Sequence, residues 1–149
     1  MFTDARRENT YVAYKARLRT YLHIAPDASG QDIRKLIDSG FPVSTAKSFC
    51  DAVKLSPADR DQIIPVETLT AGLELGKPLT PHQSDRLYRF AHITAMAESI
   101  FGSDEKAMQW LSKPKKRFSG KSPLSMLTTT EGASQVEGML IQLAEGFAF

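Results

Sequence analysis

The apolar residues of this chain recur at intervals of three and four almost from end to end, and no run alternates apolar with polar in the two-residue period of a strand. That periodicity predicts an all-α fold. Tyr11, Tyr14, Leu18, Tyr21 and Leu22 share one face of a first helix. Its other face carries Lys15, Arg17 and Arg19, and it should end near Ala25-Pro26. Ser29 can cap a second helix bearing Ile33, Leu36 and Ile37, which Ser39-Gly40 and Phe41-Pro42 stop. Val43, Ala46, Phe49, Cys50 and Val53 supply the buried stripe of a third. The strongest start signal is Thr80-Pro81-His82-Gln83: a capping hydroxyl, a proline at the first helical position, and a glutamine that returns the bond. It opens the longest helix, on which Leu87, Phe90, Ala91, Met96, Ala97, Ile100 and Phe101 form the inward stripe. Gly102 breaks that helix, and Ser103 caps another through Ala107, Met108, Trp110 and Leu111. Thr130 can cap a final helix bearing Val136, Met139, Leu140 and Leu143, which Gly146 is placed to end in a left-handed conformation.

Two short segments in the middle have the spacing of a helix-turn-helix. Ser56, Pro57 and Asp59 start a helix that runs to about Ile64, Pro65 breaks it, and Val66 to Leu75 makes a second before Gly76. That geometry lays the second helix into a DNA groove. Its chemistry does not follow. Between Ser56 and Leu87 the cations Arg60, Lys77 and Arg86 face Asp59, Asp61, Glu67, Glu74 and Asp85, a local net charge of −2. Phosphate contact requires cations that displace counterions, and bidentate guanine contacts are worth about 1–3 kcal/mol each. A recognition helix without arginines forgoes both, so the segment is expected to keep its packing role while its reading surface has eroded.

Overall charge decides little, because the net is only +2 over 149 residues; its distribution is more telling. From Ala107 to Thr130 no acid occurs, while Lys113, Lys115, Lys116, Arg117 and Lys121 cluster around Pro114, Gly120 and Pro123. The prolines and the glycine predict a loop. Either it is simply a solvated basic loop, or it makes the phosphate contacts that the helix-turn-helix lacks, with Thr68 and Lys77 as further DNA candidates. The basic face of the first helix, with Arg6 and Arg7 before it, is the other candidate. Beyond Lys121 there is no lysine or arginine, while Glu131, Glu137 and Glu145 remain, and Phe147-Ala148-Phe149 forms an apolar tail.

With 42% hydrophobic residues the chain can build a real core. A lone Cys50, no signal-like start and no membrane-length apolar run predict a soluble cytoplasmic protein. His23, His82 and His92 are scattered, and there is no metal-ligand spacing, glycine-rich phosphate loop or nucleophile elbow. No enzyme activity, metal, cofactor, membrane or small-molecule substrate is therefore expected. Trp110, the only tryptophan, reads first as a core anchor and second as a contact residue.

One ordered set of motifs narrows the function. Phe101-Gly102, Ala107-Met108-Gln109-Trp110-Leu111, Pro114, Gly120-Lys121-Ser122-Pro123-Leu124, Glu131-Gly132-Ala133, Val136, Leu140 and Gly146 together resemble the toxin-binding domain of RES-Xre (MbcA/ParS-like) antitoxins. Ser84-Asp85-Arg86-Leu87 upstream fits the same family, and its structural reading is an ion-paired helix start. Ile64, Pro65, Thr68 and Leu69 match too, but Val66, Glu67, Ala71, Gly72 and Leu73 stand where the family carries basic residues. The resemblance implies an N-terminal region, 1–79, containing an Xre/Cro-like helix-turn-helix, and a toxin-binding domain, 80–149. It implies a RES-domain toxin that acts on NAD as partner, silenced when the C-terminal domain and tail cover its active site. The expected toxin-binding residues are Trp110, Met139, Leu143, Glu145, Gly146, Phe147 and Phe149. A homodimer, and autorepression through promoter DNA in complex with toxin, are also implied; the first helix is then a dimer or packing element. The alternative is a free-standing Xre-class repressor.

Overall fold

The structure, a computed structural model, describes residues 2–146, with side chains from Glu8 onward. Its helices are α1 (Phe2–Leu22), α2 (Gly30–Ser39), α3 (Val43–Ala52), α4 (Pro57–Ile63), α5 (Val66–Leu75), α6 (Pro81–Phe101), α7 (Asp104–Ser112), α8 (Pro123–Met126) and α9 (Thr130–Gly146), with a 3-10 turn at Lys116–Phe118. Among the described residues there is no strand, so the fold is all-α, as the periodicity requires. None of the helices is long and apolar enough to cross a membrane.

The molecule is built around α6. Ser84, Leu87, Phe90, Ala91, Ile93, Thr94, Ala95, Ala97 and Glu98 are all buried, more than one helical face can hold, because α1, α2, α4, α7 and α9 all pack against it. Its start is the capping box expected: the Thr80 side chain accepts from the Gln83 N–H, and the Gln83 side chain accepts from the Thr80 N–H. Gly102, left-handed at φ 69°, ends it.

Tyr14, Leu18, Tyr21 and Leu22 of α1 pack within the chain, while Tyr11 stays 57% exposed. α1 runs beside α6 in the same direction, with Tyr14 meeting His92 and Tyr21 meeting Glu98. Tyr21 also packs edge-on against Phe49 of α3, at a centroid distance of 5.1 Å. Helix α1 ends at Leu22, earlier than Ala25, with His23 at φ 59° as the break. Arg17 does not belong to an outward basic face: its guanidinium bridges Glu98 at 3.4 Å and Asp104 at 2.8 Å, because α7 begins beside α1.

A second set of contacts stitches α6 to the α2–α3 turn. The Phe41 N–H donates to the buried Ser84 Oγ at 2.9 Å, and the Leu79 N–H donates to the Phe41 carbonyl at 2.9 Å. Gly40, at φ 88°, permits this approach; a Cβ there would lie 2.1 Å from the Leu79 carbonyl oxygen. Asp85 pairs with Arg89 one turn on, and Arg89 also donates to the carbonyls of Leu127 and Thr128, so the charged start of α6 holds the lead-in to α9.

Candidate functional site

The two short helices of the middle segment form where they were expected. Ser56 caps α4, Pro65 precedes α5, and Gly76 at φ 68° closes it. Helix α5 lies on α3 through Leu69 and through Gly72, whose hypothetical Cβ would meet Val43 Cγ2 at 2.6 Å. Apart from Leu69 and Gly72 its side chains are exposed, including Val66, Leu73 and Leu75 at 55%, 44% and 66%. Thr68 and Lys77 are exposed there too, but Glu67 and Glu74 are the charged groups of the helix itself. The surface is apolar and acidic rather than cationic.

The basic segment is more ordered than a loop. Lys115 donates its N–H to the Lys121 carbonyl at 3.0 Å, the 3-10 turn places Phe118 in the core, and Ser119 and Gly120 take positive φ to close it. Ser122 then caps α8, which buries Pro123 and Leu124. Prolines and a glycine concealed these two short helical pieces, since the same residues that punctuate a loop also start one-turn helices. Lys113, Lys116, Arg117 and Lys121 remain exposed on this turn, while Lys115 is partly covered. Its ammonium sits 5.0 Å from the centroid of the Trp110 ring, and desolvation, followed by the neighbouring Lys113, lowers its pKa. Trp110 in turn packs against Phe101 at 5.9 Å and is half-buried, so it serves both as an anchor and as a surface aromatic. Arg117 donates to the Gln142 side chain at 2.8 Å, which ties the basic turn to α9.

Helix α9 starts under a different cap from the one expected. Thr129, not Thr130, accepts the Gly132 N–H through its Oγ1, because Gly132 lies against Met126, where a Cβ would come 2.0 Å from the carbonyl oxygen. Val136 and Leu140 are fully buried, whereas Met139 and Leu143 are half-buried flanks packed on the core. Glu145 and Gly146 are exposed. Gly146 is the last residue of the helix and does not take the left-handed conformation expected of it. Phe147 and Phe149 lie outside the described residues. Two exposed positions on α9 were not singled out from sequence: Ile141, 44% exposed, and Gly138, which has open space where a Cβ would point. A glycine in the middle of a helix was the signal for the second.

Behind α9, His92 joins three elements. Its Nδ1 is 2.5 Å from the Tyr14 hydroxyl, its Nε2 is 2.9 Å from Glu137 Oε1, and its ring stacks on Tyr88 at 5.7 Å. The bond to His92 lowers the Glu137 pKa against the opposing effect of burial. The imidazole thereby pins both α1 and α9 to α6. Its contacts are those of a packing histidine, and among the described residues no group of three or more His, Cys, Asp or Glu could hold a metal.

The comparisons with known proteins cover the C-terminal segment and, for the relatives, most of the chain. The family model described as the Xre/MbcA/ParS antitoxin C-terminal toxin-binding domain matches residues 96–146, from the end of α6 through α9. Antitoxin Xre of Pseudomonas putida is 49% identical over 147 residues, covering 99% of this chain and 92% of that protein. Antitoxin Xre of Yersinia enterocolitica is 32% identical over 124 residues, 81% of this chain and 84% of that protein. Antitoxin Xre of Photorhabdus laumondii is 26% identical over the same length and shares. With a near-full-length relative at that identity, and a match to an antitoxin toxin-binding domain over the segment that holds Trp110, the basic turn and α9, the chain belongs to the Xre antitoxins of toxin–antitoxin systems.

Proposed function

We propose that this antitoxin neutralises a RES-domain toxin that degrades NAD by laying its C-terminal surface and tail over the toxin's active site. The observation that carries the reading is the match of residues 96–146 to a toxin-binding domain whose outer surface combines a half-exposed tryptophan, a fixed basic turn and an acidic helix with an exposed isoleucine. Aromatic anchors in such mixed surroundings are typical centres of protein interfaces. Trp110 supplies the anchor, Glu145 a negative edge, and Gly146, Phe147 and Phe149 the segment that enters the site. Met139 and Leu143 act from beneath, by holding α9 in place.

DNA is the second partner in this reading, engaged by the toxin–antitoxin assembly at its own promoter. Helix α5 lacks the cations for tight binding alone, so the exposed Lys113, Lys116, Arg117 and Lys121 make the phosphate contacts, and two antitoxin copies in one assembly make weak contacts additive. A free-standing repressor is disfavoured by the same surface of α5.

Co-expression with a RES-domain toxin tests the first claim: a stable complex, relief of growth arrest and loss of NAD hydrolysis are expected. Trp110→Ala should weaken the complex by about 2 kcal/mol or more, as centres of interfaces do. Full protection in the absence of any complex would overturn the reading.

A further inference from the structure

Two glycines of α9 have opposite surroundings. Gly132 is required by the fold, since a Cβ would collide with the Met126 carbonyl oxygen at 2.0 Å. Gly138 is not: nothing lies within 4 Å of where its Cβ would be, and its φ is not positive. It sits in the interior of a 17-residue helix, where glycine is less favourable than alanine, so the folded chain alone gives no reason for it. One turn on, at i+3, Ile141 is 44% exposed on a helix whose opposite side, Val136 and Leu140, is fully buried. The exposed face continues to Glu145, and α9 itself carries no lysine or arginine; Arg117 of the basic turn is held beside this face by Gln142.

We infer that the toxin's main chain crosses α9 at Gly138, with Ile141 seated in an apolar recess of the toxin beside that crossing and Glu145 facing a basic rim. The occupant is the toxin rather than another protein because this helix lies inside the segment matched as toxin-binding, and because a helix whose own charged residues are all acidic suits a partner whose site accommodates a dinucleotide phosphate. Absence of a side chain allows a backbone to approach as nothing larger does, so Gly138 gives up helix stability in the free antitoxin for contact in the complex. The inference rests on the toxin-binding reading above and specifies where on the surface it operates.

The test uses the full-length antitoxin with Gly138→Ala, Gly138→Leu and Ile141→Ser, measuring free-state melting by circular dichroism and Kd for the RES toxin by calorimetry. Gly138→Ala should raise the Tm of the free protein by a few degrees while weakening toxin binding, a combination that misfolding cannot produce. Gly138→Leu and Ile141→Ser should each weaken binding by about tenfold or more. Unchanged affinity in Gly138→Leu, with the wild type binding tightly, overturns this inference alone. A lower Tm in Gly138→Ala overturns its premise that the position is open. A wild-type protein that binds no RES toxin overturns the toxin reading itself and this inference with it.

Discussion

Glu98 shows how much of this molecule depends on single buried polar groups. It is 3% exposed, both of its carboxylate oxygens accept from the Tyr21 hydroxyl, at 2.7 and 2.8 Å, and Arg17 reaches it at 3.4 Å. Burial raises its pKa against the lowering effect of the Tyr21 bond. Glu98→Ala leaves Tyr21 and Arg17 without this partner and should cost about 2–4 kcal/mol in urea unfolding, whereas Glu98→Gln, which keeps an acceptor, should cost clearly less. Equal losses would show that the charge, not the acceptor, holds α1. Glu137 has the opposite sign. The bond from His92 lowers its folded pKa, so its contribution to stability is complete above the ordinary glutamate value of about 4.3 and is lost as pH falls through the depressed one. Glu137→Gln should therefore flatten the fall in stability below about pH 5; an unchanged acid limb in a pH series of denaturation curves would rule this out. Neither pair was legible in the sequence. The tyrosine face of α1 could be read as apolar, but its hydroxyls meet partners 78 and 77 residues away, and no local pattern encodes that pairing.

At the scale of elements, helix starts were the most legible feature, because capping is local chemistry. Ser29 with Asp32, Ser56 with Pro57, Thr80 with Gln83, and Ser103 all cap as their side chains require. The ends, and the segment between α7 and α9, were harder. His23 ends α1 with a positive φ that its residue type did not announce, and the basic turn folds because Phe118 and Leu124 are buried, a tertiary effect. Gly40 tests the α2–α6 stitch: Gly40→Ala combines a strained φ of 88° with a collision at the Leu79 carbonyl, and should destabilise by about 2 kcal/mol or more. Gly30→Ala, with open space around its Cβ, should be close to neutral or stabilising in the same melt. For the basic turn the expected outcome concerns ionic strength. Replacing Lys116, Arg117 and Lys121 with glutamate should reduce the salt dependence of promoter binding by the toxin–antitoxin complex, by roughly one unit of log–log slope per lost phosphate contact. Binding whose salt slope is untouched would place the phosphate contacts elsewhere.

One apolar core joins Leu18 and Leu22 of α1, Phe49 of α3, Phe90 of α6 and Leu140 of α9, so the region carrying α4 and α5 and the segment matched to the toxin-binding family share the same central helix. Cutting the chain before α6 would remove the surface on which α1 packs, and loss of protection would then say nothing about which residues touch the toxin. The tail permits a cleaner separation. Val136 and Leu140 are buried, and Met139 and Leu143 hold α9 from its flanks. Removing Gly146 to Phe149 should therefore leave the free protein's melting temperature within a few degrees of the full chain. If the acidic, aromatic end enters the toxin's NAD site while the face around Trp110 and Ile141 provides the anchorage, the truncated antitoxin should still form the complex with a weaker Kd. NAD hydrolysis by that complex should then rise well above that of the intact pair. Complete inhibition by the truncated complex would show that covering the toxin with α7 to α9 is enough and that the tail is not the plug. Loss of all binding would move the anchorage itself to the last four residues.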